Sequence, residues 1–274
     1  MPLMSVSIVT RAKKRWHKSV DWLRGLFHAH VTLNWHVWLH RPIRDITVFQ
    51  RRISFIERPE YSQNGEDGII HAIFAMIGET NKFCVEFGAT DGIQMSNSLY
   101  LRRHRGWKGL LMDCEKMSDE IKQEFITAEN IESLLEKYDV PKEFDLLSID
   151  IDGNDYWVWK AITNWKPHVV IIEYNACIPA LPAVTVPYKS DFRWDKTDYY
   201  GASLGALEKL GRQKGYTLIG TDRNGVNAFF VLSELMEGNF MHWPLEKLYH
   251  PAAFKGKHGN VHPKDTQGRP WVEV

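Results

Sequence analysis

An α/β protein with a mostly parallel sheet and an antiparallel edge strand is what this sequence predicts. Three observations carry that expectation. First, FCVEFGATDG (83–92) is a short apolar run that ends in an acid and then meets glycines at 88 and 92, the pattern of a buried parallel strand breaking into a tight turn. Second, further apolar runs, GLLMD (109–113), FDLLSID (144–150) and HVVIIEY (168–174), alternate with helical segments, and alternating strands and helices build a parallel sheet with right-handed crossovers. Third, the run closes as helix (201–215), strand YTLIG (216–220), turn Asp222–Gly225 and strand NAFFVL (227–232), which adds an antiparallel edge.

The elements follow in order. Residues 1–60 read as an N-terminal helical arm. Trp16, Val20, Leu23 and Phe27 recur at helical spacing behind a basic cluster at Arg11, Lys13, Lys14, Arg15 and Lys18. Such an arm fits packing on its own domain or a second subunit first, and peripheral contact with an anionic membrane surface or a protein through residues 11–40 as the alternative; Pro42 ends it. The main domain is expected over 61–234. Ile69, Ile70, Ile73, Phe74 and Ile77 share one helical face, with Asn64 and Asp67 at capping-box spacing and Gly78 closing the helix. SNSLYLRRHRG reads as a helix stopped at Gly106, and a further helix runs through Trp157 and Trp159. Residues 235–274 read as an irregular tail whose histidines, at 242, 250, 258 and 262, lack metal-ligand spacing.

Composition excludes several classes. Lys+Arg and Asp+Glu both number 34, so a general nucleic-acid binder, with its basic excess, is not expected. Three cysteines, at 84, 114 and 177, with no Cys-x-x-Cys spacing argue against a disulfide framework or zinc site. They favour a reducing, cytoplasmic location, and no apolar stretch reaches the ~18–20 residues of a spanning helix.

The chemistry concentrates at strand ends. E-x-G-x-x-x-G at 86–92 lacks both the three-glycine dinucleotide spacing and the P-loop lysine. It points to a cofactor without a pyrophosphate, S-adenosylmethionine first among them. Gly88 and Gly92 would let the backbone approach that ligand closely, so Gly88→Val is expected to abolish its binding without unfolding the chain. Asp113, twenty-five residues after Gly88, either accepts ribose hydroxyls or caps the next helix. SIDIDGND (148–155) places Asp150, Asp152 and Asp155 past a buried strand, and the next strand ends in Glu173, Tyr174 and Asn175. Asp150, Glu173 and Asn175 could hold a divalent cation such as Mg²⁺ against the acceptor. Asp152 and Asp155 read otherwise as turn and cap residues around Gly153. Asp150 and Glu173 are the candidate catalytic pair. Tyr199 and Tyr200 end a long Pro- and aromatic-rich loop (178–200) suited to covering a substrate. No histidine stands out as a base.

YSQNGEDGII (61–70), FCVEFGATDGIQMSNSLYL (83–101), GWKGLLMD (106–113), ITAENIESLL (126–135), FDLLSIDIDGNDYWVW (144–159), PHVVIIEYNACIP (167–179) and GASLGALEKLGRQKGY (201–216) together resemble the FkbM-type S-adenosylmethionine-dependent methyltransferases. The resemblance implies a Rossmann-like methyltransferase fold and transfer to an oxygen of a sugar or other small hydroxylated acceptor. By position it implies that Glu86, Gly88, Ala89 and Gly92 hold the cofactor's methionine part and Asp113 its ribose. Ala128, Glu129 and Asn130 border adenine, and Gln63, Asn64 and Glu66 close over the cofactor. One departure stands out: only fourteen residues separate Asp113 from Ala128, too few for a full helix and third strand. That strand is vestigial around 124–127, or the edge is rebuilt. Two rivals fit the same residues. Asp-x-Asp after a strand suits a metal-dependent glycosyltransferase, and a chain with a rebuilt adenine edge suits a non-catalytic cofactor-binding scaffold. The acceptor and the oligomeric state are not written in the sequence.

Overall fold

A computed structural model describes residues 53–236, 243–253 and 261–274; the expected arm helix, Pro42, His242 and His258 lie outside them. Seven strands form one sheet: β1 (Phe83–Phe87), β2 (Lys108–Asp113), β3 (Ile121–Gln123), β4 (Glu143–Ile149), β5 (Lys166–Glu173), β6 (Tyr216–Thr221) and β7 (Asn227–Leu232). Their order is β3-β2-β1-β4-β5-β7-β6, with β1 to β5 parallel and β7 antiparallel to both its neighbours. The predicted class is therefore the observed one: a doubly wound Rossmann-like α/β sheet with an antiparallel edge hairpin.

The apolar runs are continuous because both faces of the sheet are covered. Successive residues on a strand point to opposite faces. Val169 and Ile171 of β5 join one buried cluster with Ile69, Ile73 and Phe74 of α1 (Glu66–Ile77) and Leu101 of α2 (Leu99–His104). Val170 and Ile172 join the other with residues of α3 (Ile131–Lys137), α4 (Asp155–Ala161) and α5 (Leu204–Gln213). Trp159 of α4 is among the largest fully buried side chains, packed against Phe230 at 4.9 Å and Tyr216 at 5.8 Å between ring centres. Ile53, placed with the arm in the sequence reading, is buried in the first cluster, so this part of 1–60 packs into the sheet's own core.

Three local expectations are corrected. The expected capping box at α1 does not form, because the N-cap is Gly65 and carries no side-chain cap; instead the Asp67 carboxylate accepts from the Tyr61 and Ser62 amides at 2.8 Å, and the Ser62 hydroxyl oxygen accepts from the Asp67 amide at 3.1 Å. The third strand occupies 121–123 rather than 124–127 and registers Asp113 against Gln123. It follows β2 with no helix between, which is how so few residues suffice. The chain past Leu235 is not wholly irregular: it contains a short helix, α6 (Leu245–Leu248), and Val272–Glu273, which pair antiparallel with Val184–Thr185 of the long loop.

Candidate functional site

Parallel sheets bind ligands beyond their carboxyl ends, where strand order reverses. Here β1 lies between β2 and β4, and a cavity of about 720 Å³ opens there, in the range of a small-molecule site. Glu86, Gly88 and Ala89 line it from β1 and its turn, Asp113 from β2, Asp150 from the turn after β4 and Glu173 from β5. Gln63 reaches it from the segment before α1.

Each of these side chains is held by its local backbone. Glu86 is buried; its carboxylate accepts from the Ser96 hydroxyl and the Asn97 amide, both at 2.8 Å, so it fixes the loop after β1. Asp113 accepts from the amides of Thr90 and Glu115, both at 2.9 Å. It thereby ties the glycine turn to the end of β2, and a carboxylate with two such bonds keeps lone pairs for further donors. Gly88, at φ 69°, is required by the protein rather than by a ligand: a Cβ there would lie 1.6 Å from the Asp150 carbonyl oxygen. The two turns after β1 and β4 touch at this point.

Seven of the residues expected to hold the cofactor or a metal lie outside the cavity lining, among them Ala128, whose amide donates to the Tyr188 hydroxyl at 3.2 Å. Gly92 faces away, toward Leu111 and Ile121. Glu66 is buried, accepting from the Asn64 amide at 2.7 Å and the Asn227 side chain at 2.9 Å, while Asn64 in turn accepts from Asn224. Asn130 accepts from the Thr127 amide and donates to the Phe125 carbonyl, both at 2.8 Å, shaping the start of α3. Exposed Glu129 accepts from the Tyr188 hydroxyl. The residues that instead occupy that edge are Glu124, Phe125 and Ile126. Asn175 is removed from the metal set: its amide donates to the Asp198 and Tyr200 carbonyls at 2.8 Å and its oxygen accepts from Cys177 at 3.0 Å.

Its place is taken by Asp152. Ligand oxygens of Asp150, Asp152 and Glu173 all lie within 4.8 Å of one another. Asp152 sits at φ 58°, in the left-handed region. Asp155 keeps the turn role: it accepts from Ile151 and Gly153 amides at 2.9 and 2.8 Å. Burial, then the neighbouring Asp152 and Asp155, push the Asp150 carboxyl well above its ordinary range. Burial, then Asp150, do the same to Glu173, one of whose oxygens is buried without a hydrogen-bond partner. Burial and Asp155 raise Asp152 to about 6. Like charges this close are tolerated only when protonated or offset by a cation.

The opposite wall comes from the long loop and the C-terminal segment. Phe192, Arg193, Trp194, Lys196 and Tyr200 line the cavity, joined by His262. The His262 ring stands 4.5 Å from Trp194 and 5.6 Å from Tyr200 between centres, and burial keeps its pKa below the usual histidine value. His71, by contrast, lies on α1 outside the lining. Of the tyrosine pair only Tyr200 lines the site; the Tyr199 hydroxyl donates to Pro270 at 2.6 Å.

Residues 66–181 match the family model described as methyltransferase FkbM domain. Over these residues the chain is similar to the FkbM methyltransferase domain. That span contains the glycine turn, Asp113, the carboxylate cluster and the start of the long loop. No curated protein matches the chain. Among solved structures it is similar to one titled "Structure of the Mitomycin 7-O-methyltransferase MmcR", at 14% identity and a TM-score of 0.30, over 72% of this chain and 67% of that chain. So distant a likeness transfers no substrate to this chain. None of its described helices is long and apolar enough to cross a membrane.

Proposed function

We propose that this methyltransferase transfers a methyl group from S-adenosylmethionine to an oxygen of a small hydroxylated acceptor, such as a sugar, with a divalent cation held by Asp150, Asp152 and Glu173. One observation carries the reading: a single cavity joins the Gly88–Thr90 turn and Asp113 to three carboxylates that lack a counter-charge. The residues fit a cationic ligand set. An acidic floor whose carboxyls resist ionisation binds a sulfonium, an ammonium or Mg²⁺ more readily than a neutral or anionic group.

S-adenosylmethionine supplies a methyl group already activated on sulfur. The chain's work is to align an acceptor oxygen with it and to take the hydroxyl proton. Asp113 would accept ribose hydroxyls with its remaining lone pairs, and Glu124–Ile126 replace residues 128–130 at the adenine edge. A cation at the three carboxylates would lower the acceptor's pKa. His262, kept neutral by burial and facing the same cavity, is a base that the sequence did not single out.

The test is calorimetric titration with S-adenosylhomocysteine, with and without Mg²⁺. Binding is expected, and tighter with Mg²⁺ when a hydroxylated acceptor is present. Silence up to millimolar ligand would overturn the reading; nucleotide sugars with Mn²⁺ are then the ligands to titrate, because Asp150-x-Asp152 suits a diphosphate-bound metal as well.

A further inference from the structure

Besides its acids, the cavity is lined by two full-time cations, Arg193 and Lys196, both on the loop wall. Six carboxylate residues line the same cavity, yet neither cation pairs with one among the described residues. The reason is visible in the loop. Its own acids are already taken: Asp191 by Lys189 at 3.3 Å and Asp195 by Arg269 at 2.8 Å. Arg193 is instead held over the Phe125 ring at 4.3 Å and against the Cys114 sulfur at 3.6 Å. Neither contact uses its charge on an anion.

The loop is built to hold this position. Phe192 fills the space where a side chain on Gly153 would stand, at 2.3 Å from that Cβ site. The Trp194 indole donates to the Thr197 carbonyl at 2.7 Å. The C-terminal segment clasps the loop from outside: the Asp198 amide donates to Pro263 at 2.8 Å, and the Asp265 amide to the Asp198 carboxylate at 2.6 Å. Exposed lysines and arginines are commonplace on any surface. Two on one braced loop, facing an acidic cavity without neutralising it, leave a segregated pair of charges: acid at the strand ends, base on the wall.

We infer that Arg193 and Lys196 bind an anionic group, phosphate or carboxylate, carried by the acceptor. The acceptor is then a phosphorylated or acidic hydroxyl compound, with its hydroxyl at Asp150 and Glu173 and its anion at the loop wall. This identification of the acceptor rests on the methyltransferase reading; anion binding itself does not, and the experiment separates them.

S-adenosylhomocysteine is titrated into the wild-type chain first. Then glucose 6-phosphate, glucuronate and glucose are titrated separately, with and without it. The two anionic probes should bind at least about tenfold tighter than glucose, the size of one charge-assisted contact, and weaken as salt is raised. The R193Q/K196Q variant should lose that tenfold preference while its thermal midpoint stays with wild type. A stronger response to glucose 6-phosphate than to glucuronate assigns phosphate; the reverse assigns carboxylate. Equal binding of glucose and both anions, no binding of either anion at millimolar concentration, or an unchanged preference in the variant overturns the proposal. Anion binding without S-adenosylhomocysteine binding would keep the anion site and discard the methyltransferase reading.

Discussion

Gly88 shows how a residue can be read correctly for position and wrongly for cause. The sequence places it in the first turn, where close approach to a ligand explains a glycine. In the structure the close approach is to the Asp150 carbonyl. Gly88→Val is therefore a lesion of the fold as well as of the site. Gly88→Ala should already cost at least ~3 kcal/mol, because backbone must move and φ is positive. Urea unfolding measures it; a midpoint equal to wild type would show that the two turns are not in contact. A second residue-scale expectation concerns Glu57. Burial raises its carboxyl to about 7, although the Arg223 amide and guanidinium oppose this. Its unfolded value is 4.5, so the folded state prefers the proton. The contribution is fully present below pH 4.5 and is lost as pH rises through about 7. Glu57→Gln keeps an acceptor for the Arg223 amide, which donates at 2.6 Å. It should flatten the fall in unfolding free energy across that window; an unchanged slope would assign the pH dependence to other groups.

At the scale of elements, legibility followed the range of the forces involved. Strands β1, β2, β4 and β5 were readable because burial on both faces writes a continuous apolar run. The same rule fails for β3, only three residues long, whose pairing with β2 is decided by the chain's short return. With the strand at 121–123, residues 124–126 line the cavity in place of 128–130. Asn175 was misassigned for a different reason: sequence shows an amide at a strand end but not the carbonyls of Asp198 and Tyr200 that consume it. His262 left no local signal at all, since it reaches the cavity only through the clasp between the C-terminal segment and the loop. That clasp has a test. Arg269 pairs with Asp195 at 2.8 Å and Asp265 at 3.0 Å, and lies 4.1 Å from the Tyr199 ring centre. Arg269→Ala should speed hydrogen exchange in 192–200 while leaving the sheet's protection unchanged. Uniform loss of protection would mean that the clasp supports the whole domain instead. Trp159→Ala belongs to the opposite case. It should cost ~3–5 kcal/mol of global stability by opening a cavity between α4, β6 and β7, with no change in which segments exchange first.

For the molecule as a whole, the carboxylate floor sets stability against function. Asp150, Asp152 and Glu173 repel one another, and Glu173 keeps a buried oxygen without a donor. A fold selected only for stability would not leave such a cluster uncompensated, and sites that work against their own fold are commonly functional ones. Glu173→Gln replaces a carboxyl that burial and its neighbours keep from ionising with a neutral amide of nearly the same volume that also supplies donors. Without ligand it should unfold about 1–2 kcal/mol later than wild type at neutral pH. Mg²⁺ should stabilise the wild-type chain by mass action and have little effect on the variant. Both halves come from one urea titration repeated with and without the cation. If Glu173→Gln is less stable than wild type yet still responds to Mg²⁺, the cluster is a structural network with a partner for every charge, and the cation-assisted reading fails with it.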